Sequence, residues 1–288
     1  MGPFQPVPPF QPSSLKSRSC SIASGRPSDD VTLRGVIHAW SSRCPAGPDS
    51  VALAHLLREL DLAGEIRLVG LAHFNHQLRP AASGDERFCA EVAAALDQPL
   101  LVEREDVRDL ARRERRSIED AARRARHGFL ERARVHFDAD AIAPGHTRDD
   151  QAETFLLRLL RGAGARGLAA MHPRRGALIR PLLDCRRAIL RDYLASRGVP
   201  HINDESNGDL SIPRNRVRAE LLPFLEQRFN PSIVDVLADE ADLARDEWRW
   251  MAAGEDDLWS RACRREGDTW RMQADSARRR RRWRWPAW

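Results

Sequence analysis

Hydrophobic positions along the chain follow two alternating patterns: short continuous apolar runs, and longer segments in which apolar residues recur every three or four positions. The short runs predict buried strands, and the segments with helical spacing predict amphipathic helices. The predicted strands cover residues 31–40, 66–74, 99–106 and 139–146. The predicted helices cover residues 51–60, 83–98, 117–137 and 149–162. This alternation predicts an α/β fold in which a parallel sheet carries helices on both faces.

Glycines and small polar residues mark the ends of several predicted helices. Gly64 and Gly162 follow the first and the last of them, as expected of glycines that end helices. Ser117 and Asp120 have the spacing of a capping box at the start of the third helix. The residues expected to face the core are Val51, Leu53, Ala54, Leu56, Leu57 and Leu60, then Phe88, Val92, Ala95 and Leu96, then Ile118, Ala122, Ala125, Phe129 and Ala133.

The pattern changes in the last quarter of the chain. Residues 217–229 and 232–253 have helical spacing with no strand between them. We therefore expect an α/β domain over residues 31–214 and a small, mainly helical region over residues 215–288. Residues 1–30 are rich in serine and proline and are predicted to form a disordered extension.

Charge and cysteine content narrow the class of protein. The 288 residues carry a formal net charge of +5, and Lys16 is the only lysine, so almost all the positive charge is arginine. Arginine matches phosphate geometry well, which favours a polyanionic partner. The five cysteines are scattered and form no CxxC pair, which argues against a disulfide framework or a zinc site and favours a reducing cytoplasm. No apolar run is long enough to span a membrane.

Polar clusters follow three of the predicted strands. The sequence "PAGPDS" begins at Pro45, "HFNHQLRP" begins at His73, and "GHTRDD" begins at Gly145. Ligands of parallel α/β sheets bind at the carboxyl ends of the strands. We therefore expect the three clusters to converge on one crevice.

The first cluster has part of what a phosphate-binding loop requires. Gly47 and Ser50 precede a helix, where backbone N–H groups and a hydroxyl can donate to phosphate oxygen atoms. Asp49 is a candidate ligand for Mg²⁺. Pro45 has no N–H to donate and Ala46 resists a positive φ, so these two residues depart from such a loop. The alternative interpretation of the segment is an ordinary helix cap.

Several motifs in the same order resemble one family. "PAGPDSVAL" resembles the SGGxDS loop of the N-type ATP pyrophosphatases, the PP-loop superfamily. Within that superfamily, the segments "HFNHQLRP", "APGHTRDDQAETFLLRLLRGAG", "GLAAM", "IRPLL", "DESN" and "RNRVRAELLP" resemble the tRNA(Ile)-lysidine synthetases. The resemblance covers roughly residues 45–225 and implies a Rossmann-like PP-loop domain. Larger members of the family carry a further C-terminal domain for tRNA recognition, and by this resemblance we expect the helical region here to be a truncated form.

The resemblance implies a two-step ligation. The family uses ATP to adenylate O2 of the wobble cytidine in the CAU anticodon of tRNA(Ile), and the side-chain amine of lysine then displaces AMP to give lysidine. It implies ATP and Mg²⁺ as cofactors, and tRNA(Ile) and free L-lysine as substrates. A homodimer remains one option for the assembly.

The family's functional positions map onto this chain segment by segment. Those implied to bind ATP are Pro45, Ala46, Gly47, Pro48, Asp49, Ser50, His73, Asn75 and His76, with Asp49 also holding the metal. Those implied to bind the lysine and tRNA substrates are His146, Asp149, Asp150, Glu153, Arg214, Asn215 and Arg216. Asp49 and Arg214 are the implied catalytic residues.

Each of these groups also has an ordinary structural interpretation. Asn75 and His76 can simply organise a strand-to-helix turn. Asp150 and Glu153 share one helix face and can hold an ammonium group, but acidic residues in a first helical turn are also favoured by capping and by the helix dipole. Arg214 and its neighbours can form a solvated basic face.

Two other functions remain open at this point. One is a non-catalytic tRNA-binding relative with a damaged ATP loop, which Pro45 and Ala46 favour. The other is a different PP-loop enzyme that modifies tRNA, such as a thiolase. The missing CxxC pair argues against the thiolase, because such enzymes commonly carry sulfur or an iron–sulfur cluster on paired cysteines.

Overall fold

The computed structural model describes residues 35–40, 47–78, 82–202, 209–266 and 269–272. The predicted extension before residue 31 lies outside these ranges, as do Pro45 and Ala46 of the first polar cluster and Arg79 of the second.

Six strands form one sheet in the order β3-β2-β1-β4-β6-β5. The strands are β1 (Val36–Ala39), β2 (Leu68–Asn75), β3 (Leu100–Arg104), β4 (Ala141–Pro144), β5 (Arg174–Arg175) and β6 (Leu178–Ile179). All neighbouring strands pair in parallel except β5, which pairs antiparallel with β6. The four predicted strands and the parallel α/β fold are thus confirmed, and the short β5–β6 pair extends the sheet beyond them.

Helices connect the strands and continue past the sheet. They are α1 (Pro48–Leu62), α2 (Ala82–Ala95), α3 (Val107–Glu114), α4 (Ile118–His136), α5 (Arg148–Leu159), α6 (Ala165–Leu168), α7 (Arg187–Ser196), α8 (Pro213–Arg216), a π-helix (Val217–Leu221), α9 (Leu222–Arg228) and α10 (Ile233–Ala262). A short antiparallel hairpin of β7 (Cys263–Glu266) and β8 (Thr269–Met272) follows α10. No helix in the described ranges is both long enough and apolar enough to cross a membrane.

Helix α3 is not among the elements predicted from the sequence. Its eight residues are mostly charged, and Val107 and Ala111 are its only fully buried side chains, so its apolar face is too short to show as a periodic pattern. Asp106 starts the helix by accepting hydrogen bonds from the backbone N–H groups of Arg108 and Asp109. Local capping, rather than hydrophobic periodicity, therefore defines this element.

Three details of the predicted helices were wrong. Ile118 is 47% exposed, because it occupies the first position of α4 and the helix buries Ala121 instead. Ala95 is exposed, because the buried stripe of α2 runs through Cys89, Val92, Ala93 and Leu96. The predicted capping box on α4 forms only in part. Ser117 Oγ accepts the N–H of Asp120, but the carboxylate of Asp120 pairs with Arg116 instead.

The sheet has an apolar core on each face. On one face, residues of β1, β2 and β4 pack against α1, α2 and α7, and on the other they pack against α3 and α4. Successive strand residues point to opposite faces, so Val36 belongs to the first core and Ile37 to the second. Helix α1 therefore lies against the centre of the sheet, with its N-terminus at the carboxyl end of β1.

A third core joins the C-terminal helices to α5. Ala152 of α5 and Ala241 of α10 are fully buried where the two helices approach, and small side chains allow that close packing. Arg148, at the first position of α5, pairs with Asp235 and Asp239 of α10 at 2.6 Å each. The predicted C-terminal helices are therefore present, and α10 is held directly against the helix that carries the third polar cluster.

Candidate functional site

The carboxyl ends of β1, β2 and β4 lie side by side in the sheet. β1 pairs with β2 on one side and with β4 on the other, both in parallel. The chain therefore leaves β1 and β4 at adjacent points, and helices α1 and α5 begin just beyond them. The strand order reverses direction between β1 and β4, which is where parallel α/β sheets bind their ligands. The second and third polar clusters flank this point, as does the end of the first.

Residues 47–50, the part of the first polar cluster that the structure describes, form the N-terminus of α1. Gly47 is the N-cap residue, with no side-chain cap, and its carbonyl oxygen accepts the N–H groups of Ser50 and Val51. Ser50 is buried, and Gly145, which follows β4, lies directly against its backbone. A helix N-terminus presents a partial positive charge and free N–H groups, both of which favour an anion such as phosphate.

The carboxylate of Asp49 has two oxygen atoms in different situations. Oδ2 accepts a hydrogen bond from Nε of Arg187 at 2.9 Å. Oδ1 is buried and has no hydrogen-bond partner. Burial raises the pKa of Asp49, and the charge of Arg187 opposes that shift. A buried carboxylate oxygen without a donor fits a cation, and Mg²⁺ is usually held by one or two carboxylates together with substrate phosphates.

Asp150 is part of the cap of α5. Thr147 is the N-cap residue, and its backbone N–H and hydroxyl both donate to Oδ2 of Asp150, at 2.9 and 3.0 Å. The Thr147 hydroxyl also accepts the N–H of Asp150, which completes a capping box. The capping interpretation of Asp150 is therefore confirmed, but it involves only one of the two carboxylate oxygens.

Glu153 is fully buried one turn further along α5 and is held by arginines. Arg218 donates to it through Nε at 2.6 Å and through Nη2 at 3.0 Å, and Arg214 donates through Nε at 2.7 Å. Arg214 and Arg218 also reach Oδ1 of Asp150, each at 3.2 Å. A buried carboxylate is stable only when it is paired and hydrogen-bonded in this way.

Arg187 connects this cluster to the ATP-loop candidate. Its guanidinium donates to Asp49 at 2.9 Å and to Asp150 at 3.1 Å, and approaches Glu153 at 3.5 Å. Burial alone would lower the pKa of Arg187, but the charges of Asp150, Asp49 and Glu153 outweigh it and raise the pKa. Burial likewise favours the neutral form of Asp150, but Arg187 and Arg214 outweigh it and lower its pKa. Three carboxylates and three arginines, whose formal charges balance, therefore lie in mutual contact (the Arg187 cluster: Asp49, Asp150, Glu153, Arg187, Arg214 and Arg218).

The histidines near the ends of β2 and β4 are neutral at pH 7; His73 and His76 are buried, and His146 is partly buried. Burial lowers the pKa of His73, His76 and His146 to about 4 each. Neither ring nitrogen of His73 or of His76 has a hydrogen-bond partner in the structure. Asn75 accepts the N–H of Gln77 and donates to Glu86, so it organises the turn after β2 as its structural interpretation predicted.

The other predicted site residues lie at the edge of the Arg187 cluster. Asp149 accepts the backbone N–H of Arg187 at 2.7 Å and so fixes the start of α7. Asn215 is buried and donates to the carbonyl oxygen of Asp209 at 3.0 Å. Arg216 is exposed. The functional roles of these residues stay predictions.

Arg187 is not among the site residues predicted from the sequence. One signal points to it. Arg187 is the first residue of α7, and a basic residue in a first helical turn opposes the helix dipole. Such a residue requires compensation from nearby acidic groups, and the helix itself has no acidic residue in its first turn. Its partners lie at Asp49 and Asp150, far away in sequence, so local reasoning could not identify them.

The described residues contain no group of three or more histidine, cysteine or acidic side chains that could hold a metal ion by itself. Two of the cysteines, Cys89 and Cys185, are buried and are not bonded to each other.

Comparison with known proteins agrees with this architecture. The family model of the PP-loop domain matches residues 35–225, about two thirds of the chain. Proteins named tRNA(Ile)-lysidine synthase match with 45% identity in Geobacter sulfurreducens and 42% identity in Symbiobacterium thermophilum. These matches cover 70% and 80% of this chain but 43% and 47% of the relatives. The chain thus spans about half the length of the curated relatives it matches.

Among solved structures, a U34-tRNA thiolase from Methanococcus maripaludis, with its [4Fe–4S] cluster, has the same fold. The TM-score is 0.56 with 15% sequence identity, and the match covers 74% of each chain. At this identity the likeness concerns the fold alone.

Proposed function

This chain belongs to the PP-loop domain family, an ATP-binding family, and from that premise we propose that it ligates lysine to the wobble cytidine of tRNA(Ile). The observation that carries the proposal is the Arg187 cluster, because one guanidinium contacts both Asp49, beside the candidate ATP loop, and the acidic pair of α5. A ligase of this kind needs its ATP site and its amine site in one crevice. The relatives named above carry the same activity in their names.

The proposed reaction has two steps. O2 of the cytidine attacks the α-phosphorus of ATP, and pyrophosphate leaves. The side-chain amine of lysine then attacks C2 of the activated base, the C2–O2 bond breaks, and AMP departs with that oxygen. The protein contributes mainly by positioning the reactants and by stabilising negative charge on phosphate.

The N-terminus of α1 is the proposed phosphate site. Backbone N–H groups near Gly47 and the hydroxyl of Ser50 would donate to phosphate oxygens, and Asp49 would hold Mg²⁺ through its unpartnered Oδ1. When bound, Mg²⁺ would neutralise charge on the departing pyrophosphate. His73 and His76 are neutral, and the proposal assigns them to the base or ribose side of the nucleotide.

Asp150 and Glu153 are the proposed partners of the lysine ammonium, beside His146 and Asp149. Both carboxylates already accept hydrogen bonds from arginines, so the ammonium would have to share them with, or displace, a guanidinium. Arg214 is the proposed catalytic cation next to the departing AMP. Arg216 is exposed beside it and suits contact with a tRNA phosphate.

The proposed functional division of the chain is a PP-loop domain over residues 31–214 and a tRNA-binding helical region over residues 215–288. Arg214 and Arg218 stand on either side of this division, and both bind Glu153. The helical region would therefore complete the site as well as bind tRNA. We also propose that the chain assembles as a homodimer. A measurement of its molar mass in solution tests this.

The test is AMP release by the purified full chain, supplied with ATP, Mg²⁺, lysine and tRNA(Ile) with a CAU anticodon. We expect release that requires both lysine and this tRNA, and loss of that release in Asp49→Asn. The matched control is Asp61→Asn at the far end of α1, where the carboxylate pairs with Arg58 rather than with the crevice.

Two results would contradict the proposal. Binding of the tRNA without any nucleotide turnover would identify a non-catalytic relative, the outcome that Pro45 and Ala46 favour. Transfer of sulfur to the tRNA, with no requirement for lysine, would identify a different PP-loop enzyme.

A further inference from the structure

Helix α7 is attached to α1 by polar contacts at both ends. Near the start of α7, Arg187 binds Asp49 in the first turn of α1. Near its other end, Tyr193 and Arg197 both bind Glu59 in the last turns of α1, each at 2.8 Å. The two attachments resemble one another chemically, but only the first one reaches the candidate ATP loop.

The attachment of α7 to the domain does not depend on Arg187. Leu190, Tyr193 and Leu194 are essentially fully buried in the core that α7 shares with α1. Burial of these three large side chains stabilises the packing of α7 on α1, and the contacts to Glu59 add to it. The packing of these side chains and the contacts to Glu59 therefore hold α7 against α1 independently of Arg187.

The planar side chain of Arg187 contacts both the candidate ATP loop, through Asp49, and the acidic pair of α5, Asp150 and Glu153. Nε points to Asp49, Nη2 to Asp150, and Nη1 to Glu153. The side chain is only 13% exposed, so it cannot leave one carboxylate without altering its position at the others. An arginine guanidinium has a fixed fork of donors, which a lysine side chain cannot reproduce.

We propose that Arg187 is a positioning residue that couples the ATP loop to the acidic pair of α5, an inference that rests on the function proposed above. Bound phosphate groups next to Asp49 would offer the guanidinium further charged acceptors that compete with Asp150 and Glu153. As the guanidinium turns toward the phosphates, it releases acceptor oxygens on the acidic pair for the lysine ammonium. ATP and lysine therefore each strengthen the binding of the other, as linkage requires of coupled sites.

Calorimetric titration of the full chain with α,β-methylene ATP and Mg²⁺, with and without lysine, measures this coupling without turnover. The Arg187→Met variant lacks a hydrogen bond to a charged group. We therefore expect it to bind the nucleotide on the order of ten-fold more weakly than the unmodified protein does. In the unmodified protein we expect lysine to tighten nucleotide binding about five-fold or more. We expect no effect of lysine in Arg187→Met.

The matched control is Arg197→Met, which breaks the other attachment of α7 to α1. It is expected to change nucleotide affinity less than about two-fold and to keep the response to lysine, because Glu59 lies away from the crevice. Arg187→Lys keeps the positive charge, and it replaces Arg187→Met in the titration if the methionine variant fails to fold. It is expected to recover part of the nucleotide affinity but not the effect of lysine.

Equal nucleotide affinities in Arg187→Met and Arg197→Met would overturn the inference, as would unchanged nucleotide affinity on addition of lysine to the unmodified protein. A full lysine response in Arg187→Lys would also overturn it, because charge alone would then suffice. These outcomes are separate from failure of the proposed function, which is the absence of AMP release that depends on lysine and tRNA in the unmodified protein. Arg187→Met can lose nucleotide binding whether or not that reaction occurs.

Discussion

Gly145 lies directly against the backbone of Ser50. A β-carbon at position 145 would be 3.1 Å from both the N and Cα atoms of Ser50 and 3.2 Å from the carbonyl carbon of Asp49. These atoms belong to the first turn of α1, which cannot rotate away as a side chain can. The glycine after β4 therefore sets how closely the candidate ATP loop approaches the neighbouring strand.

Gly145→Ala is expected to weaken ATP binding more than it lowers stability. The added methyl group would displace the start of α1 by a few tenths of an ångström, and phosphate contacts through backbone N–H groups are sensitive to such shifts. We expect a loss of nucleotide affinity of about ten-fold, measured by calorimetry. Gly164→Ala is the control, because a β-carbon there meets nothing within 4 Å, and an equal loss in that variant would contradict the explanation.

Glu153→Gln is expected to destabilise the fold strongly. Glu153 has no solvent exposure and accepts charged hydrogen bonds from Arg214 and Arg218, which would lose their buried counter-charge. Removing one partner from a buried ion pair costs about 3–5 kcal/mol. Urea unfolding monitored by circular dichroism measures the change in the free energy of unfolding.

The control for that substitution is Glu131→Gln on α4. Glu131 also pairs with an arginine, Arg134, but its side chain is half exposed. Exposed pairs contribute at most about 1 kcal/mol. Similar losses in the two variants would mean that burial of Glu153 does not determine its contribution.

Stability is expected to fall as the pH is lowered from 7 to 5. His38 in β1 is fully buried, and burial lowers its pKa from the ordinary 6.5 to about 4. Between these two values the unfolded chain binds a proton that the folded chain does not, so stability is fully present above 6.5 and is lost as the pH falls toward 4. His38 alone accounts for about 2 kcal/mol between pH 7 and 5.

Urea unfolding at several pH values checks this prediction, with His38→Asn as the comparison. The histidine donates through Nδ1 to the carbonyl oxygen of Ala143 when that nitrogen carries its proton, and asparagine keeps a donor but does not titrate. We expect a smaller pH dependence in the variant, and His73, His76 and His146 account for part of the remainder. An identical slope in both proteins would exclude His38 as a contributor.

Gly128→Ala is expected to stabilise the protein. Gly128 lies inside helix α4, where alanine is preferred over glycine by roughly 0.5–1 kcal/mol. The nearest obstacle to a β-carbon is Nη1 of Arg132 at 3.3 Å, the far end of a flexible side chain. Thermal unfolding should show a higher midpoint with unchanged ATP binding, and a lower midpoint would mean that Arg132 cannot move aside.

Predictions from the sequence succeeded where a signal is local. The period of apolar residues located all four main strands and the helices between them, because burial on one face imposes that period. The same method failed at α3, whose apolar face is only about two turns long, and at Ile118, where the first residue of a helix escapes the core. It did not predict the short β5–β6 pair, because strands of two residues are too short to show a period of apolar residues.

The sequence by itself determined the α/β class, the three polar clusters at the strand ends and the family to which their motifs point. It also determined the candidate carboxylates Asp49, Asp150 and Glu153. Only the tertiary structure decided that Arg187 joins all three, across separations of 138, 37 and 34 residues. Helix periodicity and capping act between neighbours in the chain, whereas charge pairing in a buried crevice depends on distances that exist only after the sheet has brought its strand ends together.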